Sequence, residues 1–160
     1  MRYLLVIDLQ KEFVKDSKGK KIYQQCLEYI AANKDKYNLV IAALYENNTR
    51  DNPNMDRLLN WNECKSVFPI EFIANAAYTH AGYSIKEYPN VSQLDTIDII
   101  GFDTDACVLS AAFDVFNLGC NMRILSDLCW SSGGAKMHKA GLMVMERQFG
   151  KAVTTSNSKF

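Results

Sequence analysis

A chain of 160 residues, 48% hydrophobic and 22% charged, has the length of one domain and the composition of a folded one, which excludes intrinsic disorder and leaves no room for two catalytic units. Its 18 Lys and Arg balance 18 Asp and Glu, so the basic footprint that nucleic acid binding needs is missing. The first apolar run, Tyr3 to Ile7, stops at Asp8 and is too short for a membrane span or the core of an export signal. The expectation is a cytoplasmic protein with neither a membrane nor nucleic acid as partner.

Tyr3 to Ile7, apolar throughout and closed by a carboxylate, reads as a strand buried on both faces of a parallel sheet. After the polar stretch Lys11 to Lys21, residues Ile22, Cys26, Tyr29 and Ile30 recur at helical spacing as far as Asn33 to Lys36. Leu39 to Leu44 is a second strand, and the Asn-rich segment Glu46 to Asn54, with Pro53, precedes a short helix ending near Trp61. Cys64 to Thr79 is ambiguous, and Gly82 to Ile85 reads as a third strand. Ile97 to Phe102 is a fourth, running into Thr104 and Asp105 as helix-start residues, and the helix from about Ala106 ends at Gly119. Met122 to Leu125 is a fifth strand, Gly134 to Phe149 a last amphipathic helix and Ala152 to Thr154 a final short strand. Strands alternating with helices on this short period imply one domain over residues 1–160, a three-layer α/β/α, Rossmann-like fold with a mostly parallel sheet of about six strands.

In such sheets ligands bind beyond the carboxyl ends of the strands. Asp8 ends the first strand, Lys86 ends the third, and Cys107 follows the fourth at a helix start. Of the five cysteines, Cys26, Cys64, Cys107, Cys120 and Cys129, only Cys107 sits where backbone N–H groups and the helix dipole favour a thiolate. The odd count and wide spacing argue against a disulfide framework, and with no Cys-x-x-Cys and only His80 and His138 there is no structural zinc pattern. Asp8 is placed to take the thiol proton and Lys86 to stabilise the thiolate, against the plainer readings of a loop-anchoring carboxylate and a solvated lysine.

The first strand Leu4-Leu5-Val6-Ile7-Asp8-Leu9-Gln10 followed by Phe13, the turn Gly101-Phe102-Asp103-Thr104-Asp105-Ala106-Cys107-Val108, and then Ser110 to Asp114, Ser126-Asp127, Ser131 to Gly134 and His138 together resemble the isochorismatase-like cysteine hydrolases, a family that includes isochorismatases, nicotinamidases and small amidases. The resemblance implies a triad with Cys107 as nucleophile, Asp8 handling protons and Lys86 beside the thiol. It also implies a cis peptide between Phe102 and Asp103, an oxyanion hole formed by the N–H groups of Asp103 and Cys107, and cleavage of an amide-type bond through a thioester acyl-enzyme. It further implies a small-molecule substrate and self-association into a homo-oligomer.

The chain departs from that pattern in two places. The 107 − 86 = 21 positions from Lys86 to Cys107 are fewer than the family usually has, and Glu87-Tyr88-Pro89-Asn90 replaces the expected sequence after the lysine. Nicotinamidases hold a metal on an Asp and His residues near the second strand, but Tyr45 to Trp61 contains no histidine, so neither a catalytic metal nor any other cofactor is expected. Phe13, Trp61 and Trp130 are candidates for lining the substrate pocket, though core packing explains each equally well. His138 falls on the row His138, Leu142, Met145, Phe149 and reads as a packed helix histidine. Ser131 to Gly134 reads as a tight connection sooner than an anion cradle. A haloacid-dehalogenase-type phosphatase would need a second carboxylate where Gln10 stands, and no Gly-rich nucleotide motif is present. The competing class is a catalytically silent member that keeps the fold for ligand binding or assembly.

Overall fold

A computed structural model describes residues 1–45, 53–59, 76–79 and 91–158. Among the described residues six strands form one parallel sheet: β1 (Arg2–Ile7), β2 (Leu39–Ala43), β3 (Ala76–Thr79), β4 (Thr96–Phe102), β5 (Asn121–Trp130) and β6 (Val153–Thr154). Their spatial order is β3-β2-β1-β4-β5-β6, every neighbouring pair is parallel, and the chain reverses its winding between β1 and β4. The described α-helices are α1 (Ser17–Asn33), α2 (Asn54–Leu59), α3 (Cys107–Asn117) and α4 (Ala135–Phe149).

The alternation of side chains along a strand builds the three layers. Leu4 and Val6 of β1, Val40 and Ala42 of β2, and Ile100 and Phe102 of β4 face one way and pack with Ile22, Tyr23, Cys26 and Ile30 of α1. Tyr3, Leu5, Ile7, Ile41, Ile97 and Ile99 face the other way and pack with Val108, Ala111, Ala112 and Val115 of α3 and Met145 of α4. Strands covered on both sides need no polar face, which is why they read as continuous apolar runs. Among the described residues no helix is long and apolar enough to cross a membrane.

Several boundaries differ from the sequence pattern. Helix α1 starts at Ser17, earlier than the apolar periodicity, because the Asp16 carboxylate caps it by accepting the Gly19 amide at 2.6 Å. Strand β5 is ten residues long: Ser126 and Asp127 fall at an irregularity where Ile99 and Gly101 pair with Ile124 and Cys129, and the strand continues to Trp130. The described strand between β2 and β4 is Ala76–Thr79, within the ambiguous segment, and Gly82 to Ile85 lies outside the described residues. Helix α3 begins at Cys107 with no side-chain cap, so Thr104 and Asp105 do not start it.

Candidate active site

The carboxyl ends of β1 and β4 lie side by side, with Ile7 paired to Gly101. Only glycine fits there: φ is +123°, and an added Cβ would fall 2.0 Å from the Ile7 carbonyl oxygen. The two chains then leave the sheet together, one through Asp8, whose φ is 45°, the other through a cis peptide between Phe102 and Asp103. The Asp8 side chain is fully buried, and its amide donates to the Ala43 carbonyl of β2 at 2.9 Å.

Residues 103–108 fold back compactly because the amides of Ala106 and Val108 both donate to the Asp103 carbonyl, at 3.1 and 3.0 Å. Half-buried Cys107 is therefore the first residue of α3, where helix amides lack intrahelical acceptors and the dipole is positive. The turn is held from outside as well. Ser132 donates to the Asp103 carboxylate through its amide and its hydroxyl, both at 2.6 Å. Burial pushes that carboxyl above its usual range, while the Ser132 bonds and Lys15 oppose the shift. The Thr104 amide donates to the Trp130 carbonyl at 3.0 Å, and its buried hydroxyl hydrogen-bonds His138 Nδ1 at 2.8 Å. Helix α4 comes so close that a Cβ on Gly141 would stand 2.7 Å from the Thr104 carbonyl oxygen.

His138 thus braces the nucleophile turn. Burial lowers its pKa, the Lys18 ammonium on α1 adds to that, and Asp105 opposes it, so the ring is neutral at pH 7. The folded state binds this proton less readily than the unfolded one, so the contribution to stability is complete above about pH 6.5 and declines as pH falls below it. His138→Ala is expected to cost about 1 to 2 kcal/mol at pH 7.5 through the lost Thr104 bond, and less at pH 5.5. Urea unfolding at the two pH values checks this; an equal cost at both would contradict a neutral brace.

A second support joins the exits of β1 and β2. Fully buried Gln10 donates through Nε2 to the Tyr45 carbonyl at 3.2 Å and accepts the Tyr45 amide on Oε1 at 2.8 Å. The Tyr45 ring stands edge-on to Phe13, with centroids 5.8 Å apart and planes at 89°. Burial first, then the neighbouring Cys107 and Asp8, push the Tyr45 phenol up to about 12. Thiol, carboxylate and phenol therefore share one corner of the carboxyl edge.

Of the other residues expected at the site, Phe13 is in that corner against Tyr45. Trp130 is 7% exposed and wedged against the first turn of α1: its indole N–H lies 3.2 Å from Asp16 Oδ1, and its ring stacks on His138 with centroids 4.7 Å apart. Lys86 and Trp61 lie outside the described residues. Gln10, Tyr45 and Ser132 were not among the expected site residues. Gln10 had a signal, a polar residue two positions beyond Asp8 on the strand's alternation. Ser131 to Gly134 is the tight connection expected, with the Gly134 amide donating to the Ser131 carbonyl at 2.9 Å. Tyr45, a neutral phenol, occupies the exit of β2, and among the described residues no three His, Cys, Asp or Glu side chains gather to hold an ion. Most of Tyr45 to Trp61, the segment on which the expectation of no metal rests, lies outside the described residues.

A three-layer α/β/α fold with a cysteine-bearing turn after β4 and an aspartate at the end of β1 agrees with what the comparisons find, the isochorismatase-like superfamily. Residues 75–158 match the Isochorismatase domain family, 84 of 160 positions, and the chain belongs to that family. It is 30% identical over 73 residues to the isochorismatase domain-containing protein 2A of Mus musculus, a match spanning 46% of this chain and 34% of that protein. Among solved structures, a pyrazinamidase/nicotinamidase from Streptococcus mutans superimposes with a TM-score of 0.78 at 16% identity, over 96% of this chain and 100% of the other. The N-carbamoylsarcosine amidase of Thermoplasma acidophilum gives 0.76 at 18% identity, over 99% and 98%. An isochorismatase-like hydrolase from Alkaliphilus metalliredigens gives 0.73 at 21%, over 96% and 94%. At these identities the likeness concerns the fold.

Proposed function

We propose that the chain is a small-molecule cysteine hydrolase that opens an amide-type C–N bond through a thioester, without a metal. The observation that carries this reading is the corner itself: the one described cysteine that starts a helix shares the carboxyl edge with the buried Asp8, both acting on the same phenol. Two of the structural neighbours are named amidases, which supports a C–N bond.

In the first half-reaction Asp8 takes the Cys107 proton and the sulfur attacks the carbonyl carbon, forming a C–S bond. The amides of Asp103 and Cys107 receive the oxyanion. The C–N bond then breaks as Asp8 returns the proton to the departing amine. In the second half Asp8 takes a proton from water as the hydroxide adds to the thioester, the C–S bond breaks with Asp8 returning that proton to the sulfur, and the acid leaves. Lys86 is assigned to the thiolate, as the family resemblance implies.

The test is amine release from a panel of small amides and carbamates. The unaltered protein is expected to turn over at least one of them, and EDTA to leave the rate unchanged. Asp8→Asn is expected to lower kcat by on the order of 10² to 10⁴. Activity lost to EDTA and restored by zinc would refute the metal-free mechanism, and full activity in Asp8→Asn would refute the proton carrier. If nothing is turned over and Cys107 is alkylated no faster than a model thiol, the chain is a silent member of its family.

A further inference from the structure

Thr104 stands next to Asp103 in the nucleophile turn with its side chain fully buried. A buried threonine carries a hydroxyl that valine, of the same shape, would spare, and such a group is tolerated only with a partner. The partner comes from another element: His138 Nδ1, on α4, lies 2.8 Å from the hydroxyl. The imidazole is fixed in its turn by Trp130, whose ring stacks on it with centroids 4.7 Å apart and whose carbonyl accepts the Thr104 amide at 3.0 Å. Amide and hydroxyl of one residue are thus held by β5 and α4 together, and that residue lies between Asp103 and Cys107, whose amides are assigned to the oxyanion.

We infer that His138 is a positioning residue for the hydrolysis: through its bond to the Thr104 hydroxyl it aims the Asp103 and Cys107 amides at the oxyanion, and so sets kcat. The inference rests on the hydrolase reading and deepens it. The role runs through Thr104 and not through contact with the reacting atoms. The oxyanion exists only after the sulfur has added, so a misaimed amide costs little in substrate binding and much in the transition state.

Two substitutions divide the contacts of the ring. His138→Phe keeps an aromatic ring against Trp130 and loses the Thr104 bond, whereas His138→Asn loses the ring and keeps a polar atom near the place of Nδ1. His138→Phe is expected to lower kcat by roughly 10- to 100-fold with KM within about threefold, and His138→Asn to keep kcat within about threefold. Thr104→Val is expected to match His138→Phe, and the double variant to lose no more than either single one, since both remove the same bond. Should His138→Phe fail to fold, Thr104→Val against His138→Asn carries the same comparison. A loss in His138→Asn with none in His138→Phe, or additive losses in the double variant, would overturn the inference by showing that packing on Trp130 is what matters.

The rate at which iodoacetamide labels Cys107 at pH 6 to 7 needs no substrate and separates this inference from the hydrolase reading. If the unaltered protein turns over no amide, yet labelling slows by at least about threefold in His138→Phe and Thr104→Val and not in His138→Asn, the positioning role stands and the hydrolase reading fails. If no amide is turned over and labelling is equal in all of them, the assignment of His138 is refuted.

Discussion

Cys107→Ala is expected to lower turnover of any amide substrate by on the order of 10⁴ or more, leaving the urea unfolding midpoint within the scatter of surface substitutions. The loss is large because the substitution removes the atom that bonds to the substrate; whatever rate remains reflects binding and the oxyanion donors alone. Stability should change little, because the bonds that shape the turn come from backbone groups and from Asp103, Thr104 and Ser132, all of which the substitution keeps. The turn is held by the Ala106 and Val108 amides on the Asp103 carbonyl, by Ser132 on the Asp103 carboxylate and by Thr104 on Trp130 and His138. The same position at the start of α3 predicts that iodoacetamide labels Cys107 at pH 6 to 7 faster than it labels a model thiol, and faster than the buried Cys26 and Cys129. Burial pushes both of those thiols upward, Cys129 to about 12. Wild-type turnover in Cys107→Ala would remove the nucleophile, and with it the thioester mechanism.

The parts of this molecule legible in the sequence are those whose cause is local. Leu4 to Ile7 and Ile97 to Phe102 are covered by helices on both faces, so burial alone writes an apolar run. Asp8 and Cys107 could be picked out because a strand end and a helix start are sequence features, and the rule for parallel sheets assigns both to one edge. Gln10 and Tyr45 are 35 positions apart, and their contact exists only because β1 and β2 are neighbours. Nothing local marks a tyrosine as clamped from another strand. The length of β5 was hidden for a similar reason. Ser126 and Asp127 look like a strand end, but the Ser126 hydroxyl donates to the Thr154 carbonyl at 2.7 Å, and the Asp127 carboxylate accepts the Ser156 amide at 2.8 Å. Partners near the C-terminus thus satisfy polar groups that otherwise signal a turn. The start of α1 lay in the polar stretch Lys11 to Lys21, where the Asp16 cap leaves no hydrophobic mark.

Asp98 shows the largest stabilising effect expected away from the site. It sits in the middle strand of the Ile97 to Phe102 run with its side chain fully buried. Its Oδ1 accepts Arg123 Nε at 2.7 Å, and its Oδ2 accepts Arg123 Nη2 and the Tyr37 hydroxyl at 2.7 Å and Arg2 Nη2 at 2.8 Å. One carboxylate therefore ties β1, β4 and β5 together, and Tyr37 extends the network to Tyr29 of α1 at 2.7 Å. Burial alone would push the Asp98 carboxyl up, but the bonds from Arg123, Tyr37 and Arg2 together outweigh it and hold the carboxyl below its usual range. Because the folded state releases this proton more readily than the unfolded one, the stability gained is complete above about pH 4, the unfolded value, and is lost as pH falls through the lower folded one. Asp98→Ala is expected to cost about 3 to 5 kcal/mol at pH 7, since it strands the largely buried Arg123 guanidinium without its counter-charge. The double variant Asp98→Leu with Arg123→Met should recover much of that loss, because apolar side chains of similar volume carry no desolvation cost. Urea unfolding of the unaltered protein and both variants at pH 7 checks the order, and a loss below about 1 kcal/mol in Asp98→Ala would show that the arginines find other acceptors. Turnover by the surviving folded fraction should be normal, because Asp98 pairs with Leu4 at the middle of β1, four residues short of Asp8, and touches none of the groups that meet at the carboxyl edge.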